Sequence, residues 1–237
     1  MAQKVKSTPC ELCLSRRKSL LNDVPHEALC KLSKSKKTIA HDKGQILFLE
    51  GTRPMGLFCI SHGNVKVFKT DDSGREQILR LAKAGDFLGY RALLSENNYN
   101  ASAAIIDEAE VCFIPKQSFT DLVASDKNFQ DKLMHAVCTD LGVMEQKMAD
   151  MANKNVRQRL ATTLLMLKSS YGIQDEDATD IDIALSREDL SKIVGTATES
   201  VIRLLSEFKK EKLIEFKGKK ISVLKPKSLA KEVDLFA

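Results

Sequence analysis

Short apolar runs separated by glycine-bearing turns dominate the chain between residues 36 and 115. Four of these runs are residues 46–49, 57–60, 65–68 and 78–81. Closely spaced short strands with glycine turns are typical of an all-β sandwich or barrel. The sequence Asp-Asp-Ser-Gly at 71–74 predicts a hairpin turn between two of the strands. We therefore predict a sensor β-barrel over residues 36–116, preceded by a cysteine-containing, helical segment at 1–35.

The apolar spacing becomes helical after Pro115. Between residues 119 and 152 there is no proline, and Gly142 is the one glycine. Apolar side chains recur every three or four residues along this stretch, at Leu133, Val137, Leu141, Met144, Met148 and Met151. Such a seam is typical of a coiled coil or a long packed helix. One small barrel could cover only part of it, so we predict a dimerisation helix over residues 117–153 with these six side chains at the interface. The alternative is that the seam packs on its own barrel.

The C-terminal part of the chain carries two helix-start signals. The sequence at 186–189, Ser-Arg-Glu-Asp, has the spacing of a capping box and predicts a helix over 187–194. Gly195 follows, and glycine adopts turn conformations that a Cβ resists. The sequence at 196–199, Thr-Ala-Thr-Glu, is a second capping box, which predicts a helix running to about residue 210. Two helices joined by a tight glycine turn predict a helix-turn-helix.

A basic hairpin is predicted after the second helix. Residues 213–224 have the pattern of two short strands, with Gly218 at the tip. Helix, turn, helix and hairpin together indicate a winged helix, which we place in residues 154–237. The candidate DNA-binding residues are Arg187, Thr198, Glu199, Ser200, Ile202, Arg203, Lys217, Lys219 and Lys220.

The second helix carries side chains suited to reading bases. Arg203 could donate two hydrogen bonds to guanine, Glu199 could accept one from cytosine, and Ile202 could contact a thymine methyl group. The hairpin lysines would pair with phosphates. The alternative for Glu199 and Arg203 is a surface ion pair four residues apart on the helix.

Charge and composition agree with a DNA-binding protein. The net charge is +5 and the sequence pI is about 8.8. Between residues 209 and 231, nine lysines face two glutamates, which is the usual footprint of phosphate binding, although a solvated lysine-rich surface has the same composition. No apolar stretch is long enough to span a membrane, and the polar start lacks a secretory signal, so we expect a cytoplasmic protein without a membrane partner.

Three segments resemble the Crp/Fnr family of bacterial transcription regulators. Residues 43–51 and 85–89 resemble the family's barrel signatures, and residues 193–205 resemble its DNA-recognition signature. The resemblance implies an α+β chain with a cyclic-nucleotide-binding-like jelly-roll barrel, a dimerising helix and a winged helix-turn-helix. It also implies a homodimer that reads palindromic operators through Glu199 and Arg203, with RNA polymerase as a further partner.

Cyclic AMP is not the expected effector. Family members that bind it carry a glutamate after the Gly-Asp-Phe-x-Gly motif and, later, an arginine that pairs with the phosphate. Here Tyr90 follows Gly89, and residues 99–102 read Tyr-Asn-Ala-Ser. Burying a phosphate without a cation would be costly, although Arg91 could substitute. The candidate effector-binding residues are Gly89, Tyr90, Arg91, Asn100, Ser102 and Met144.

The cysteines suggest a different effector. By the same resemblance, oxygen-sensing members hold an iron–sulfur cluster through N-terminal cysteines and one cysteine late in the barrel. Cys10, Cys13 and Cys112 match that arrangement, but Ser19 stands at the third N-terminal position, which leaves Cys30 as the candidate fourth ligand. The alternatives are a zinc site, a thiol redox switch, and plain core cysteines in a sensor that is unliganded or binds a small molecule, so the cofactor stays open.

A sequence-specific DNA-binding regulator is therefore the leading functional hypothesis. The alternative is a ligand-binding regulatory module whose winged helix binds protein rather than DNA. We do not expect an enzyme, because the sequence contains no phosphate-binding glycine loop, no HExxH motif and no nucleophile with an obvious base.

Overall fold

A computed structural model describes residues 7–172, 181, 185–217 and 220–233 of the chain, and for Lys217 the backbone alone. The chain divides into two compact units, Met1–Gly142 and Val143–Ala237. The division falls inside the longest helix, so the predicted domain boundaries remain predictions.

The N-terminal unit is built on two four-stranded antiparallel sheets. The strands are β1 (Lys37–His41), β2 (Ile46–Phe48), β3 (Gly56–His62), β4 (Asn64–Thr70), β5 (Glu76–Lys83), β6 (Phe87–Leu88), β7 (Ser102–Ile105) and β8 (Ala109–Pro115). One sheet has the order β1-β8-β3-β6 and the other the order β2-β7-β4-β5. The predicted strand-rich sensor domain is confirmed, and the four apolar runs coincide with β2, β3, β4 and β5, except that Leu49 lies beyond the end of β2.

Helices accompany these sheets. They are α1 (His26–Ser35), α2 (Tyr90–Leu94), α3 (Lys116–Ser125) and α4 (Lys127–Asn153), and two short 3-10 helices, Cys10–Leu12 and Leu14–Lys18, precede α1. One buried apolar cluster fills the space between the sheets, where Ile60, Val65 and Val111 are almost inaccessible. A second cluster joins the N-terminal segment, β3 and the helices, with Phe119 and Phe129 at its centre.

The predicted hairpin turn joins β4 to β5. The Asp71 carboxylate accepts hydrogen bonds from the backbone N–H of Ser73 and of Arg75, both 2.9 Å long. Gly74 has φ +80°, a conformation that side chains with a Cβ rarely adopt. The prediction from four residues is confirmed because all the stabilising contacts are local.

The prediction of a single helix after Pro115 is wrong, because the structure has two helices there, α3 and α4. Asp126 is extended and separates α3 from α4, and its carboxylate accepts a hydrogen bond from Phe129 N–H at 3.0 Å. Aspartate stabilises helix starts in this way and so supports a break that hydrophobic spacing alone does not reveal. The seam residues therefore belong to α4 alone.

The C-terminal unit contains helices α5 (Val156–Tyr171), α6 (Arg187–Val194), α7 (Thr198–Lys210) and α8 (Pro226–Val233). Strands β9 (Ile214–Lys217) and β10 (Lys220–Val223) form an antiparallel pair after α7, as predicted. Gly218, the predicted hairpin tip, lies outside the described residues. Asn155 lies between α4 and α5 and caps the start of α5, because its side chain and backbone exchange hydrogen bonds with Gln158. Among the described residues, no helix is both long and apolar enough to cross a membrane.

Candidate DNA interface and sensor cavities

Helices α6 and α7 form the predicted helix-turn-helix. Ser186 caps α6 and exchanges hydrogen bonds with Asp189, as the capping box predicts. Gly195 ends α6 in the left-handed conformation, with φ +72°. The prediction of a second capping box is wrong, because α7 begins at Thr198 and no side chain caps it. Instead, the hydroxyl groups of Thr198 and Ser191 lie 3.0 Å apart and join the two helices.

Arg159 fixes the turn between these helices. From α5 its guanidinium donates hydrogen bonds to the carbonyl oxygens of Val194, at 3.0 Å, and Gly195, at 3.3 Å. These carbonyls close α6 and would otherwise lack helical partners. The hydrophobic pattern does not single out Arg159, because an arginine on an amphipathic helix is ordinary until its neighbours in space are known.

Arg157 links α5 to the rest of its unit. Its guanidinium pairs with Glu207 on α7, Glu211 beyond it and Glu232 on α8, at 3.2, 2.6 and 2.7 Å. It also lies over the ring of Phe208, 4.5 Å from the centroid. A single side chain therefore ties together the elements that carry α7, and no sequence pattern around Arg157 signals this role.

The outward face of α7 presents the predicted base-reading side chains. Val201, Leu204, Leu205 and Phe208 are buried on the other face. Glu199 is exposed, and Ile202 keeps 49% of its surface exposed. Arg203 pairs with Glu207 at 3.0 Å rather than with Glu199, and its side chain is 67% exposed. The arginine is therefore oriented by a neighbour on its own helix and still faces outward, while Thr198 and Ser200 are half-buried at the same end.

Other basic side chains lie on α7 itself and on the elements that precede or follow it in the chain. The Arg187 guanidinium lies 4.5 Å from the ring centroid of Phe216 on β9, and Lys209 approaches the same ring at 5.5 Å. Burial lowers the pKa of Arg187, which nevertheless stays charged at neutral pH. Lys220 begins β10 and is exposed. The Lys217 side chain and Lys219 lie outside the described residues.

The predicted interface seam on α4 divides into two parts. Leu133 is only 2% exposed and belongs to the core of its own chain, so its assignment to the dimer interface is corrected. Val137 is half-buried against the same core. The side chains further along keep apolar surface exposed: Leu141 59%, Met148 75% and Met151 40%, with Met144 half-buried.

Four of the six predicted effector residues line a very small pocket. A cavity of about 30 Å³ is lined by Gly89, Tyr90, Arg91 and Asn100, among others. Ser102 is buried beside it on β7, where its hydroxyl accepts a hydrogen bond from Glu50 N–H at 2.9 Å. Met144 belongs to the other compact unit, so its predicted place at this pocket stays a prediction.

Side chains fill the space around this pocket. The rings of Phe48 and Tyr99 stack with centroids 4.1 Å apart. The Tyr90 hydroxyl donates a 2.5 Å hydrogen bond to the Asp140 carboxylate on α4, and Arg80 pairs with the same carboxylate at 3.4 Å. Burial and the Asp140 carboxylate raise the pKa of Tyr90, so the hydroxyl stays protonated and donates.

Cysteines meet at a second cavity, of about 20 Å³. Cys10 and Cys13 of the N-terminal segment line it together with Cys59 on β3 and Cys112 on β8. Burial raises the pKa of the Cys10 and Cys59 thiols, against a smaller opposing effect of the Lys36 ammonium group. The structure therefore brings together the three predicted cysteines and adds Cys59, which no motif in the sequence marks as a ligand.

Cys30 lies apart from this cavity. Its thiol faces the His26 ring, at 3.6 Å, and the Glu11 carboxylate, at 3.8 Å. All six cysteines are free thiols. Among the described residues, no three histidine, cysteine or carboxylate side chains are placed to hold a metal ion.

Two family models match the two halves of this architecture. The one described as "Cyclic nucleotide-binding domain" matches residues 39–126, and the one described as "Crp-like helix-turn-helix domain" matches residues 158–232. Together they cover more than half of the chain. The chain belongs to the Crp/Fnr family. It is a DNA-binding transcription regulator with a sensing domain.

Curated relatives of this Crp/Fnr chain are named as regulatory proteins. The "Fumarate and nitrate reduction regulatory protein" of Vibrio cholerae is 26% identical over 204 residues, covering 86% of this chain and 80% of the relative. The protein of the same name from Escherichia coli strain K12 is 27% identical over 210 residues, with coverages of 89% and 83%.

Solved structures share the fold. FixK2 from Bradyrhizobium japonicum has a TM-score of 0.74 at 22% identity, covering 83% of this chain and 96% of its own. A CooA mutant from Carboxydothermus hydrogenoformans has a TM-score of 0.73 at 18% identity, with coverages of 92% and 94%. The predicted fold class, with a strand-rich sensor and a C-terminal helix-turn-helix, is confirmed.

Proposed function

We propose that two copies of this chain bind a palindromic operator and that an effector held by the sensor unit controls this binding. The observation that carries the proposal is the outward face of α7, where Glu199 and Ile202 are exposed and the Arg203 side chain is 67% exposed. A helix presented in this way fits the major groove of DNA and meets base edges with its first exposed side chains.

The division of labour on DNA follows from side-chain chemistry. Arg203 and Glu199 read base edges, and Ile202 supplies an apolar contact. Contacts to phosphates fix the register, and their donors are Arg187, Thr198, Ser200, Lys217, Lys219 and Lys220. Because Arg187 is held against Phe216, it reaches a phosphate from a fixed position.

Dimerisation uses the exposed part of the α4 seam. Leu141, Met148 and Met151 leave apolar surface in water in a single chain, and Met144 lies between them. Pairing this face with the same face of a second chain would remove the apolar surface from water. Each Å² buried in this way would stabilise the dimer by roughly 25 cal/mol. A dimer also fits an operator with two half-sites one helical turn apart. A regulator of this type acts on transcription through contacts with RNA polymerase.

The proposed effector is something other than a cyclic nucleotide, and three features of the pocket support this. The cavity of about 30 Å³ has room for little more than one water molecule. Arg80 is already engaged through its two terminal nitrogens by Asp140 and by the Phe87 carbonyl oxygen. Of the candidate residues, Arg91 is the one that lines the pocket with a positive charge.

The role of Arg203 in base reading provides the test. Arg203→Ala removes a two-bond contact to a base and should weaken operator binding by about 1–3 kcal/mol, roughly 5- to 150-fold. Arg203→Lys keeps the charge but not the paired donors, and should lose most of the preference for that base. Fluorescence anisotropy with operator and scrambled duplexes measures both effects.

Arg53→Ala is the matched control, because it removes the same charge from an exposed position in the other unit. It should leave DNA affinity within about twofold of the unchanged protein. Equal losses for Arg203→Ala on operator and scrambled duplexes would show that Arg203 binds phosphate and does not read sequence.

A further inference from the structure

A chain of charged side chains runs from helix α5 to the outward face of α7. The Glu207 carboxylate bridges two guanidinium groups: one oxygen accepts a hydrogen bond from Arg203 at 3.0 Å, and the other accepts one from Arg157 at 3.2 Å. Arg203 and Glu207 lie four residues apart on α7, whereas Arg157 belongs to α5. The arginine proposed to read DNA is therefore connected, through one carboxylate, to a neighbouring helix.

Arg157 is the fixed end of this chain of contacts. Its Nε donates to Glu232 on α8 at 2.7 Å, and its second terminal nitrogen donates to Glu211 at 2.6 Å. All three guanidinium nitrogens are thus bonded, and the group lies over the ring of Phe208, which is fully buried. Because three carboxylates and a core ring hold Arg157 in one position, Glu207 has a fixed partner.

Exposure of the side chains increases from α5 toward the outward face of α7. The Arg157 side chain is 25% exposed, that of Glu207 36% and that of Arg203 67%. An exposed ion pair four residues apart on a helix contributes little to the stability of the free protein, because solvent screens it. The main consequence of the Arg203–Glu207 pair is therefore orientation, since Glu207 is itself held by Arg157 and restricts the rotamers of Arg203.

Arg203 keeps enough hydrogen-bond donors to read a base while it is paired with Glu207. A guanidinium group has five N–H donors, and a two-bond contact to guanine needs two of them. The bond to Glu207 uses one terminal nitrogen of Arg203. A two-bond contact also requires one orientation of the guanidinium, and fixing a flexible side chain on binding has an entropic cost. Since Glu207 already orients Arg203 in the free protein, less freedom remains to be lost when DNA binds.

We infer that Glu207 is a positioning residue for base reading: it orients Arg203 and so sets the preference at the base that Arg203 contacts, while Arg157 holds Glu207 in place. The inference rests on the base-reading role of Arg203 in the proposed function. Glu207 also carries a negative charge on the helix that faces DNA, and this charge opposes binding to phosphates of any sequence. Its effects on specific and on non-specific binding therefore have opposite signs, which a merely structural role would not produce.

The test measures how well the full-length protein discriminates between DNA duplexes. The probes are the duplex enriched from a random library, a panel that differs from it at one position of each half-site, and a scrambled duplex. Fluorescence anisotropy gives the dissociation constants of the unchanged protein, Glu207→Ala, Arg203→Ala and the double variant. Glu211→Ala is the matched control, because it removes a carboxylate that also pairs with Arg157 and leaves the Arg203–Glu207 pair in place.

Glu207→Ala should weaken binding to the enriched duplex by roughly 2- to 12-fold, which is the cost of immobilising one flexible side chain. Binding to the scrambled duplex should stay the same or tighten, because a negative charge is lost. The loss of discrimination should be confined to the position at which Arg203→Ala also loses it. In the double variant, Glu207→Ala should reduce discrimination no further than Arg203→Ala alone, because Glu207 acts through Arg203. Glu211→Ala should keep discrimination within about twofold of the unchanged protein.

Three results for Glu207 would overturn the inference. An equal loss on every duplex would indicate a structural role, tighter binding of the enriched duplex would show that Glu207 withholds Arg203 from DNA, and a further loss of discrimination in the double variant would show that Glu207 acts independently of Arg203.

The Arg203 variant separates this inference from the proposed function. If Arg203→Ala loses discrimination and Glu207→Ala does not, the inference alone is lost. If Arg203→Ala keeps full discrimination, or if no duplex is enriched from the library, base reading by Arg203 is lost from the proposed function, and the inference falls with it.

Discussion

Among single residues, Tyr90 and Asp140 connect the small barrel pocket to helix α4. The Tyr90 hydroxyl and the Arg80 guanidinium both reach the Asp140 carboxylate. Hydrogen bonds to charged groups contribute about 1.5–3 kcal/mol, more than those between neutral groups. A change in the pocket that moves Tyr90 would therefore alter its hydrogen bond to α4, the helix that carries the proposed dimer interface.

Tyr90→Phe should lower the free energy of unfolding by about 1.5–3 kcal/mol, because it leaves the Asp140 carboxylate without its short hydrogen bond. Tyr99→Phe is the matched control, since the Tyr99 hydroxyl makes only a 3.4 Å hydrogen bond to the Gly56 carbonyl oxygen. It should cost less than about 1 kcal/mol. Urea unfolding measures both. Equal decreases in the free energy of unfolding for the two variants would mean that the hydrogen bond to Asp140 stabilises the protein no more than the long one to Gly56.

The cysteines show which neighbours in space the sequence order of residues does not reveal. Cys30 is the nearest cysteine in sequence to the N-terminal pair, and it lies with His26 and Glu11 instead. Cys59 joins the cavity because the register of β3 on β8 places it opposite Cys112. Register is set by the whole sheet, and no local pattern around Cys59 encodes it.

Among the helices, α4 combines two roles along its length. Its first turns pack Phe129 and Leu133 into the core of the N-terminal unit, and later turns expose Leu141 and Met148. The spacing of apolar residues is the same in both parts. Periodicity therefore predicts the helix and its apolar face, but it cannot say what covers that face.

Met148→Glu should weaken dimerisation by more than tenfold, because a charge buried in an apolar interface costs several kcal/mol unless it is paired. Gln146→Glu introduces the same charge at an exposed position toward the opposite face of α4 and should leave the dimer intact. Sedimentation equilibrium of both variants gives the dissociation constants. A dimer unaffected by Met148→Glu would place the interface elsewhere.

Local signals predict other elements accurately. Ser186 and Asp189 are enough to place the helix over residues 187–194, because a capping box involves only neighbours in the sequence. The same reasoning fails at Thr196, where α7 begins at Thr198 and the Thr198 hydroxyl meets Ser191. A contact between helices outweighs the local capping preference there.

For the whole molecule, family membership and side-chain geometry support one division of labour. The family relationship establishes a DNA-binding transcription regulator with a sensing domain. The geometry of this chain adds an outward-facing Arg203 on α7, a filled barrel pocket at Tyr90, and a cavity of four thiols beside Lys36. The C-terminal unit is thereby assigned to DNA and the N-terminal unit to the signal.

The most direct test of operator recognition is selection of the purified protein on a library of random duplexes, with the bound sequences read at moderate salt. We expect an enriched palindrome whose half-sites lie about 10 base pairs apart, with affinity that falls steeply as salt rises. The bound complex should contain two chains per duplex. Enrichment of no sequence, or of a single half-site bound by one chain, would contradict the proposed function.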